Sequence, residues 1–247
     1  MGGITTDLRT GLAFCTRLPV TAPDHANLAQ AAWSFPVVGA LVGGAGALLY
    51  WLAVSVGLSP FIAATLAVAA TALITGCLHE DGLADTADGF GGGTSKERKL
   101  EIMRDSRSGA YGVVALIFSF LLRVAAIASL AEPGLVAAAL IAAHAGARAG
   151  IPVFMRAVPN ARQDGLSAGA GTPSARSTLI AALLGLLALA LCLGVGAGLV
   201  PALLVAAGLI IMARLSLKQI GGQTGDVLGA VEQLSEIVIL LAAAALL

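Results

Sequence analysis

Long apolar runs separated by short polar segments dominate the chain from residue 34 onward. A helix needs about 20 consecutive apolar residues to cross the hydrocarbon core of a bilayer. Seven runs come close to this length, so the pattern predicts seven membrane-spanning helices, or six if the acidic last run inserts only partly. The predicted spans lie near residues 34–56, 60–78, 110–131, 134–156, 177–197, 199–217 and 227–247.

Composition supports an all-α, polytopic integral membrane protein. Hydrophobic residues make up 58% of the chain and charged residues 11%, whereas soluble domains carry about 25% charged residues. We expect a single membrane domain over residues 1–247, with close helix packing where small residues such as Gly39 and Gly43 recur at helical spacing. The net charge of zero gives no indication of a nucleic-acid partner. The sequence leaves open whether copies of the chain form a homo-oligomer.

Basic residues mark one side of the predicted bundle. Every Lys and Arg except Arg123 and Arg148 lies in one of four segments or at an adjoining span end. Cytoplasmic segments of membrane proteins carry such an excess of Lys and Arg. We therefore predict a cytoplasmic N-terminus in the inner membrane, with the active site facing the cytoplasm. The four segments are the interfacial lead 1–32, the main active-site loop 79–109, and the loops 157–176 and 218–226.

Residues 79–89, HEDGLADTADG, concentrate acid at the end of the second predicted span. In a helix, Asp81, Asp85 and Asp88 share one face, because they are four and three residues apart. Like charges repel, so this arrangement favours a bound cation, and carboxylate oxygens are typical ligands of Mg²⁺. We predict that these aspartates and Glu80 ligate Mg²⁺. The alternative is a solvated acidic loop beside the membrane.

The same stretch offers three further candidates for the site. His79 is predicted to act in catalysis or on the substrate, and the alternative is a hydrogen bond at a helix end. Glycine lets the backbone approach a ligand closely and present its N–H groups to anions. We therefore count Gly82 and Gly89 among the substrate contacts.

The segment 96–112, KERKLEIMRDSRSGAYG, places Arg104 and Arg107 on either side of Asp105. Guanidinium groups bind phosphate through two parallel hydrogen bonds. We predict that both arginines bind phosphate groups of the substrate and that Asp105 also contacts it. The alternative is that the arginines only anchor the segment on the cytoplasmic side.

The segment 221–226, GGQTGD, opens the last predicted span and lies on the same side. A helix N-terminus favours anions. Gln223 and Thr224 can donate hydrogen bonds to a substrate, and Asp226 is predicted to be a further metal ligand or substrate contact. The alternative for Asp226 is an ordinary N-cap. Acids, arginines and glycine turns gathered on one face are typical of phosphoryl transfer.

Arg123 and Arg148 lie within predicted spans, where a charge costs at least about 2.5–3.5 kcal/mol and needs a partner. By the helical rise, Arg148 lies roughly 12 Å and Glu236 roughly 13–14 Å from the same end of the bundle. We therefore predict that Arg148 faces the interior and pairs with Glu236; the alternative is that it reaches substrate phosphate. Arg123 lies deeper, and we predict contacts with backbone carbonyls or water.

Four segments resemble motifs of the cobalamin synthase family, the adenosylcobinamide-GDP ribazoletransferases, in the family's order. The resemblance implies an integral membrane enzyme that requires Mg²⁺ and completes the corrinoid nucleotide loop. A hydroxyl of α-ribazole, or of its 5′-phosphate, attacks adenosylcobinamide-GDP; GMP leaves, and adenosylcobalamin or its 5′-phosphate forms. The family tends to carry an acid one position after Glu232, where this chain departs from the pattern with Gln233; Glu236 fits the pattern better than Glu232 and is counted among the substrate contacts. The segments are FCTRLPV (14–20), LHEDGLADTADG (78–89), EIMRDSRSGAYG (101–112) and GGQTGDVLGA (221–230).

Two other function classes fit parts of the pattern. CDP-alcohol phosphatidyltransferases also use clustered aspartates at a helix end, but Asp81-Gly82 is followed here by Leu83-Ala84-Asp85, without the arginine of their signature. A transporter is the second alternative. Transporter sites usually lie near the middle of the membrane, whereas these acids cluster at its edge.

Overall fold

The fold is all-helical in the computed structural model of the chain, which describes residues 3–24 and 26–247. These residues contain no β-strand, only an isolated bridge between Asn160 and Gln223. The helices are α1 (Ile4–Cys15), α2 (Leu28–Ala31), α3 (Phe35–Ser55), α4 (Pro60–Thr75), α5 (Leu78–Gly92), α6 (Lys96–Ile102), α7 (Ala110–Leu130), α8 (Pro133–Ala157), α9 (Leu166–Ala170), α10 (Ala175–Leu193), α11 (Val195–Ile220) and α12 (Gly225–Leu246).

Within the described part of the chain, six helical segments are long and apolar enough to cross a membrane, and α4 with α5 forms a bent seventh candidate. The prediction of a polytopic bundle with six or seven spans is thus confirmed; the side on which the N-terminus lies stays a prediction. The apolar run of each spanning helix continues over the whole span and ends at a turn, as at Gly221 after α11. The unbent spans are Leu28–Ser55, Ala110–Leu130, Pro133–Ala157, Ala175–Leu193, Val195–Ile220 and Gly225–Leu246.

A sharp break separates α4 from α5. Gly76 and Cys77 both adopt left-handed backbone angles, with φ of 65° and 56°, and the two helices meet at 89°. The apolar pattern predicts one span through residue 78, but two consecutive left-handed residues cannot continue a right-handed helix. Residues 78–92, all but the first of which belong to the predicted loop 79–109, instead form a helix that packs against α7 and α12.

Helices α8 and α12 form the centre of the bundle. Their most apolar windows are 72% and 78% buried, against 17% for α11. Close packing of α3 on α8 depends on two glycines: a Cβ on Gly39 would lie 2.2 Å from the His144 carbonyl oxygen, and one on Gly43 would lie 2.4 Å from that of Leu140. The predicted close approach at these small residues is confirmed.

A buried ionic pair joins α8 to α12. Arg148 lies 2.6 Å from Glu232, and their side chains are 1% and 0% exposed. Arg148 faces the interior as predicted, but the prediction that it pairs with Glu236 is wrong. Glu232 and Glu236 lie one turn apart on α12, and the Cα depth could not decide which of them an arginine side chain reaches. His144 links Arg148 to Glu236, since its Nδ1 lies 3.0 Å from Arg148 and 3.2 Å from Glu236.

A second buried cation joins α7 to both α5 and α12. Arg123 lies 3.1 Å from Glu80 and 3.2 Å from Glu236. Its Nε also donates to the Ser119 carbonyl at 3.4 Å. The predicted carbonyl contact is therefore present, but the prediction missed both carboxylate partners. It missed Glu80 because the break between α4 and α5, which turns this residue into the bundle, leaves no periodic signal in the sequence.

The close approach of α3 to α8 yields a stability prediction. Gly43→Ala should lower the melting temperature of the detergent-purified protein, because overpacking costs about 1–3 kcal/mol. Gly44→Ala is the matched control, since its Cβ would meet nothing within 4 Å. Alanine favours helix over glycine, so the control should be neutral or stabilising. Equal melting temperatures for the two variants would contradict the packing described here.

The pair between Arg148 and Glu232 yields a second prediction. Arg148→Glu and Glu232→Arg should each destabilise the protein by about 3–5 kcal/mol, because each leaves a buried charge unpaired. The double variant should recover part of the loss in melting temperature. The same exchange between Arg98 and Glu101, an exposed pair on α6, is the control and should change little. Absence of recovery in the double variant would rule out the pairing.

Candidate active site

Helix α5 carries the three predicted aspartates on one continuous helix. Asp81 is exposed, Asp85 half-buried and Asp88 buried, so one face of α5 runs from solvent into the protein. Asp226, in the first turn of α12, joins this group. Charge on Asp85 is repelled by each of the other three carboxylates. We call these four aspartates the acidic cluster and the part of the bundle that carries them the acidic end.

The acidic cluster depends on a close crossing of α5 over α12. A Cβ on Gly82 would lie 2.7 Å from the carbonyl oxygen of Asp226 and 3.0 Å from the Cα of Gly229. Only glycine permits this approach, which brings Asp81 and Asp226 to the lining of one cavity. Gly82 thus has a packing role, and its predicted contact with substrate stays a prediction. Gly89 is also tightly packed, since its Cβ would lie 2.4 Å from Met103.

Asp88 joins α5 to the start of α7. Its two carboxylate oxygens accept backbone N–H groups from Gly109 at 2.6 Å and Gly112 at 2.9 Å. This contact positions the segment 103–109 beside the acidic cluster. The prediction that Asp88 ligates a metal stays a prediction, and the structure adds a capping role that the sequence did not indicate.

The two predicted phosphate-binding arginines lie in the segment 103–109 and are exposed. Arg104 donates to both carboxylate oxygens of Asp164 at 2.6 Å. Arg107 pairs with Asp105 at 2.7 Å, and its hydrogen bonds lower the pKa of Asp105 to about 2. Each guanidinium group pairs with an exposed carboxylate, and a more highly charged anion can displace that carboxylate.

The turn before α12 is fixed by Thr224, whose hydroxyl accepts the N–H of Val227 at 3.3 Å. Thr224 is therefore the N-cap, and the alternative that Asp226 has this role is wrong. Gln223 is buried, and its backbone N–H donates to the Pro159 carbonyl at 2.8 Å. The predicted substrate contacts of Gln223 and Thr224 stay predictions.

The same backbone pairing introduces two residues that the sequence reasoning missed. It holds the segment 158–165 against the start of α12, and Arg162 consequently lies 3.6 Å from Asp226. Asp164 of this segment is the partner of Arg104. The sequence did offer one signal for these two residues: both are charged and lie in the loop 157–176, which the sequence already assigns to the active-site side.

His79 lies between the cavity and the buried ionic pairs. It is 4% exposed, and its Nδ1 lies 3.7 Å from Glu232 and 3.4 Å from Arg148. It also lines the cavity shared by Asp81 and Asp226. The structure therefore brings His79 to the acidic cluster, as predicted, and its chemical role stays a prediction.

Two predicted site residues lie deeper. Glu80 and Glu236 are buried partners of Arg123, and this geometry gives no support to their predicted roles as metal ligand and substrate contact. Among the described residues, the group of His, Cys, Asp and Glu side chains whose donor atoms lie within 4.8 Å of one another is His144, Glu232 and Glu236. Each of these glutamates already pairs with an arginine, so we interpret this group as part of the ionic network.

Comparison with known proteins extends over nearly the whole chain. Proteins named adenosylcobinamide-GDP ribazoletransferase from Bradyrhizobium diazoefficiens and Mesorhizobium japonicum are 59% and 50% identical to it. The alignments cover 98% and 97% of this chain, and 94% and 93% of those proteins. No solved structure matches. The sequence profile described as Cobalamin-5-phosphate synthase matches residues 7–244. The chain therefore belongs to the cobalamin-5-phosphate synthase family.

Proposed function

We propose that this protein is an adenosylcobinamide-GDP ribazoletransferase that works at the acidic end of the bundle. A ribose hydroxyl of α-ribazole, or of its 5′-phosphate, attacks the phosphorus nearer the cobinamide. The pyrophosphate bond breaks, GMP leaves, and the hydroxyl proton is released to GMP or solvent. The observation that carries the proposal is the convergence of Asp81 and Asp226 at one cavity, with Asp85 close enough to be repelled by both, in a chain whose relatives bear this name.

The acidic cluster fits a bound Mg²⁺. Its donors are all carboxylate oxygens, the ligand type that Mg²⁺ prefers. The like charges of the cluster repel one another, and the cation nearest to Asp226 is Arg162 at 3.6 Å. Asp81, Asp85 and Asp226 would hold the metal. Bound there, Mg²⁺ supplies neutralisation of the pyrophosphate and of the leaving GMP.

The chain's own cations complete phosphate binding. Arg104 and Arg107 exchange their exposed carboxylate partners for oxygens of the GDP group, since the pyrophosphate carries two negative charges and a carboxylate carries one. Asp88 already caps the N-terminus of α7, so the arginines rather than this helix end supply the contacts. They act on the equatorial oxygens, where charge is spread in the transition state.

We place the acidic end at the cytoplasmic face of the inner membrane. The basic residues of α6 and of the segments 103–109 and 158–165 lie at this end, and such residues are retained on the cytoplasmic side. A nucleotide-activated substrate is charged and membrane-impermeant. This orientation therefore gives it direct access from the compartment where nucleotides are made.

Turnover by the purified protein tests the proposal. Protein in nanodiscs receives adenosylcobinamide-GDP, α-ribazole or its 5′-phosphate, and Mg²⁺. We expect a product with the mass of adenosylcobalamin or its 5′-phosphate, together with one equivalent of GMP. GMP release without a corrinoid product indicates hydrolysis and contradicts the proposed transfer. Uptake of corrinoid into sealed vesicles without any product would instead identify a transporter.

In the same assay, Asp81→Asn and Asp85→Asn should each reduce kcat by about a hundredfold or more, because loss of a metal ligand removes both charge neutralisation and positioning. Glu97→Gln is the control, since Glu97 is an exposed acid of α6 remote from these roles. Each variant is first checked for an unchanged melting temperature. More than a tenth of wild-type activity at saturating Mg²⁺ would remove that residue from the metal site.

Replacement of the arginines tests phosphate binding. Arg104→Lys and Arg107→Lys keep the charge but lose the two-pronged hydrogen bonding of guanidinium. We expect kcat/KM for adenosylcobinamide-GDP to fall by about tenfold or more for each, as for loss of a strong hydrogen bond to a charged group. Arg98→Lys on α6 preserves an exposed pair and should leave kinetics unchanged. Normal kinetics in the two test variants would assign Arg104 and Arg107 to membrane anchoring alone.

A further inference from the structure

A cavity of about 90 Å³ opens beside the acidic cluster, lined by residues of α1, α2, α3, α5, α8, α9 and α12. Its walls are largely apolar, and two of them are aromatic: Phe14 and Phe35 stack with ring centroids 5.9 Å apart. The aliphatic walls come from Leu28, Ile151, Met155 and Leu228.

The polar groups of the cavity are concentrated where it meets the acidic cluster. His79, Asp81 and Asp226 are the titratable side chains that line it among the described residues, and Ser167 of α9 adds a hydroxyl. A molecule that fills the cavity therefore buries an apolar body and presents one end to Asp81 and Asp226. This division suits a ligand with an apolar ring at one end and a hydroxylated sugar at the other.

The substrates of the proposed reaction differ in how well they match such walls. A guanine ring exposes donors and acceptors along its edge, and the apolar walls would leave them unpaired at a high desolvation cost. The corrin is a large macrocycle with amide side chains and would need both more space and more polar partners. The base of α-ribazole is a fused aromatic ring bearing methyl groups, and it alone matches the apolar walls.

We propose that this cavity binds the base of α-ribazole and presents the ribose to Asp81 and Asp226. The inference rests on the proposed function and assigns the apolar cavity to the nucleophilic substrate, leaving the exposed arginines to the nucleotide-activated one. Burial of the base fixes the orientation of the ribose hydroxyl before attack, which reduces the entropic barrier. Specificity for an apolar base follows from the walls of α1, α3 and α8.

Filling the cavity tests this assignment. Ile151→Phe should raise KM for α-ribazole by about tenfold or more, as expected for steric exclusion from an apolar pocket, and leave KM for adenosylcobinamide-GDP unchanged. Phe14→Leu removes an aromatic wall and introduces no larger side chain into the cavity. It should raise KM for α-ribazole more modestly than Ile151→Phe does. Val153→Phe is the matched control, because Val153 lies on α8 but lines a different cavity, facing α10 and α11.

Equilibrium dialysis with α-ribazole provides a readout that does not need turnover. The wild type and Val153→Phe should bind α-ribazole, and Ile151→Phe should bind it at least about tenfold more weakly. If turnover is normal but the Ile151→Phe and Phe14→Leu variants change KM only for adenosylcobinamide-GDP, or change neither KM, this inference is wrong and the proposed function stands. If α-ribazole binds as described but no transfer occurs, the proposed function fails and the binding assignment remains.

Discussion

Two guanidinium groups lie in the interior of a membrane bundle, and their ion pairs tie α7 to α5 and α12, and α8 to α12. Arg148 pairs with α12, and Arg123 pairs with both α5 and α12. Breaking a buried pair costs about 3–5 kcal/mol, and apolar helices in lipid otherwise have no hydrophobic force that holds them in one register. The ionic contacts therefore specify where α5 enters, and α5 carries three of the four aspartates of the site.

The spans could be predicted because an apolar run of membrane length leaves few alternatives to a helix. The shared face of Asp81, Asp85 and Asp88 could also be predicted, since it needs only helical spacing. The break at Gly76 and Cys77 could not, because it depends on two backbone angles that have no periodic signature. Because the break was not predicted, neither the depth of Glu80 nor its pairing with Arg123 could be predicted.

The site was predictable where its residues lie in dense motifs and unpredictable where distant segments meet. Arg162 reaches Asp226 only because the backbone of residues 159–161 pairs with Gln223, a contact between segments about sixty residues apart along the sequence. The capping role of Asp88 likewise depends on the placement of α7 relative to α5. Side-chain type and local spacing indicated the residues that we propose for the chemistry, and tertiary packing decided what each one touches.

The location of Glu232 and Glu236 on the last helix has a consequence for biogenesis. Ribosomes deliver helices to the membrane in chain order, so α7 and α8 enter with Arg123 and Arg148 before α12 has been synthesised. Until then Arg123 has only Glu80 as a carboxylate partner, whereas Arg148 lacks Glu232 and must remain near water or in the insertion machinery. Completion of the acidic end is thus coupled to the synthesis of α12, and a nascent chain stopped before residue 232 is marked as incomplete by the unpaired charge of Arg148.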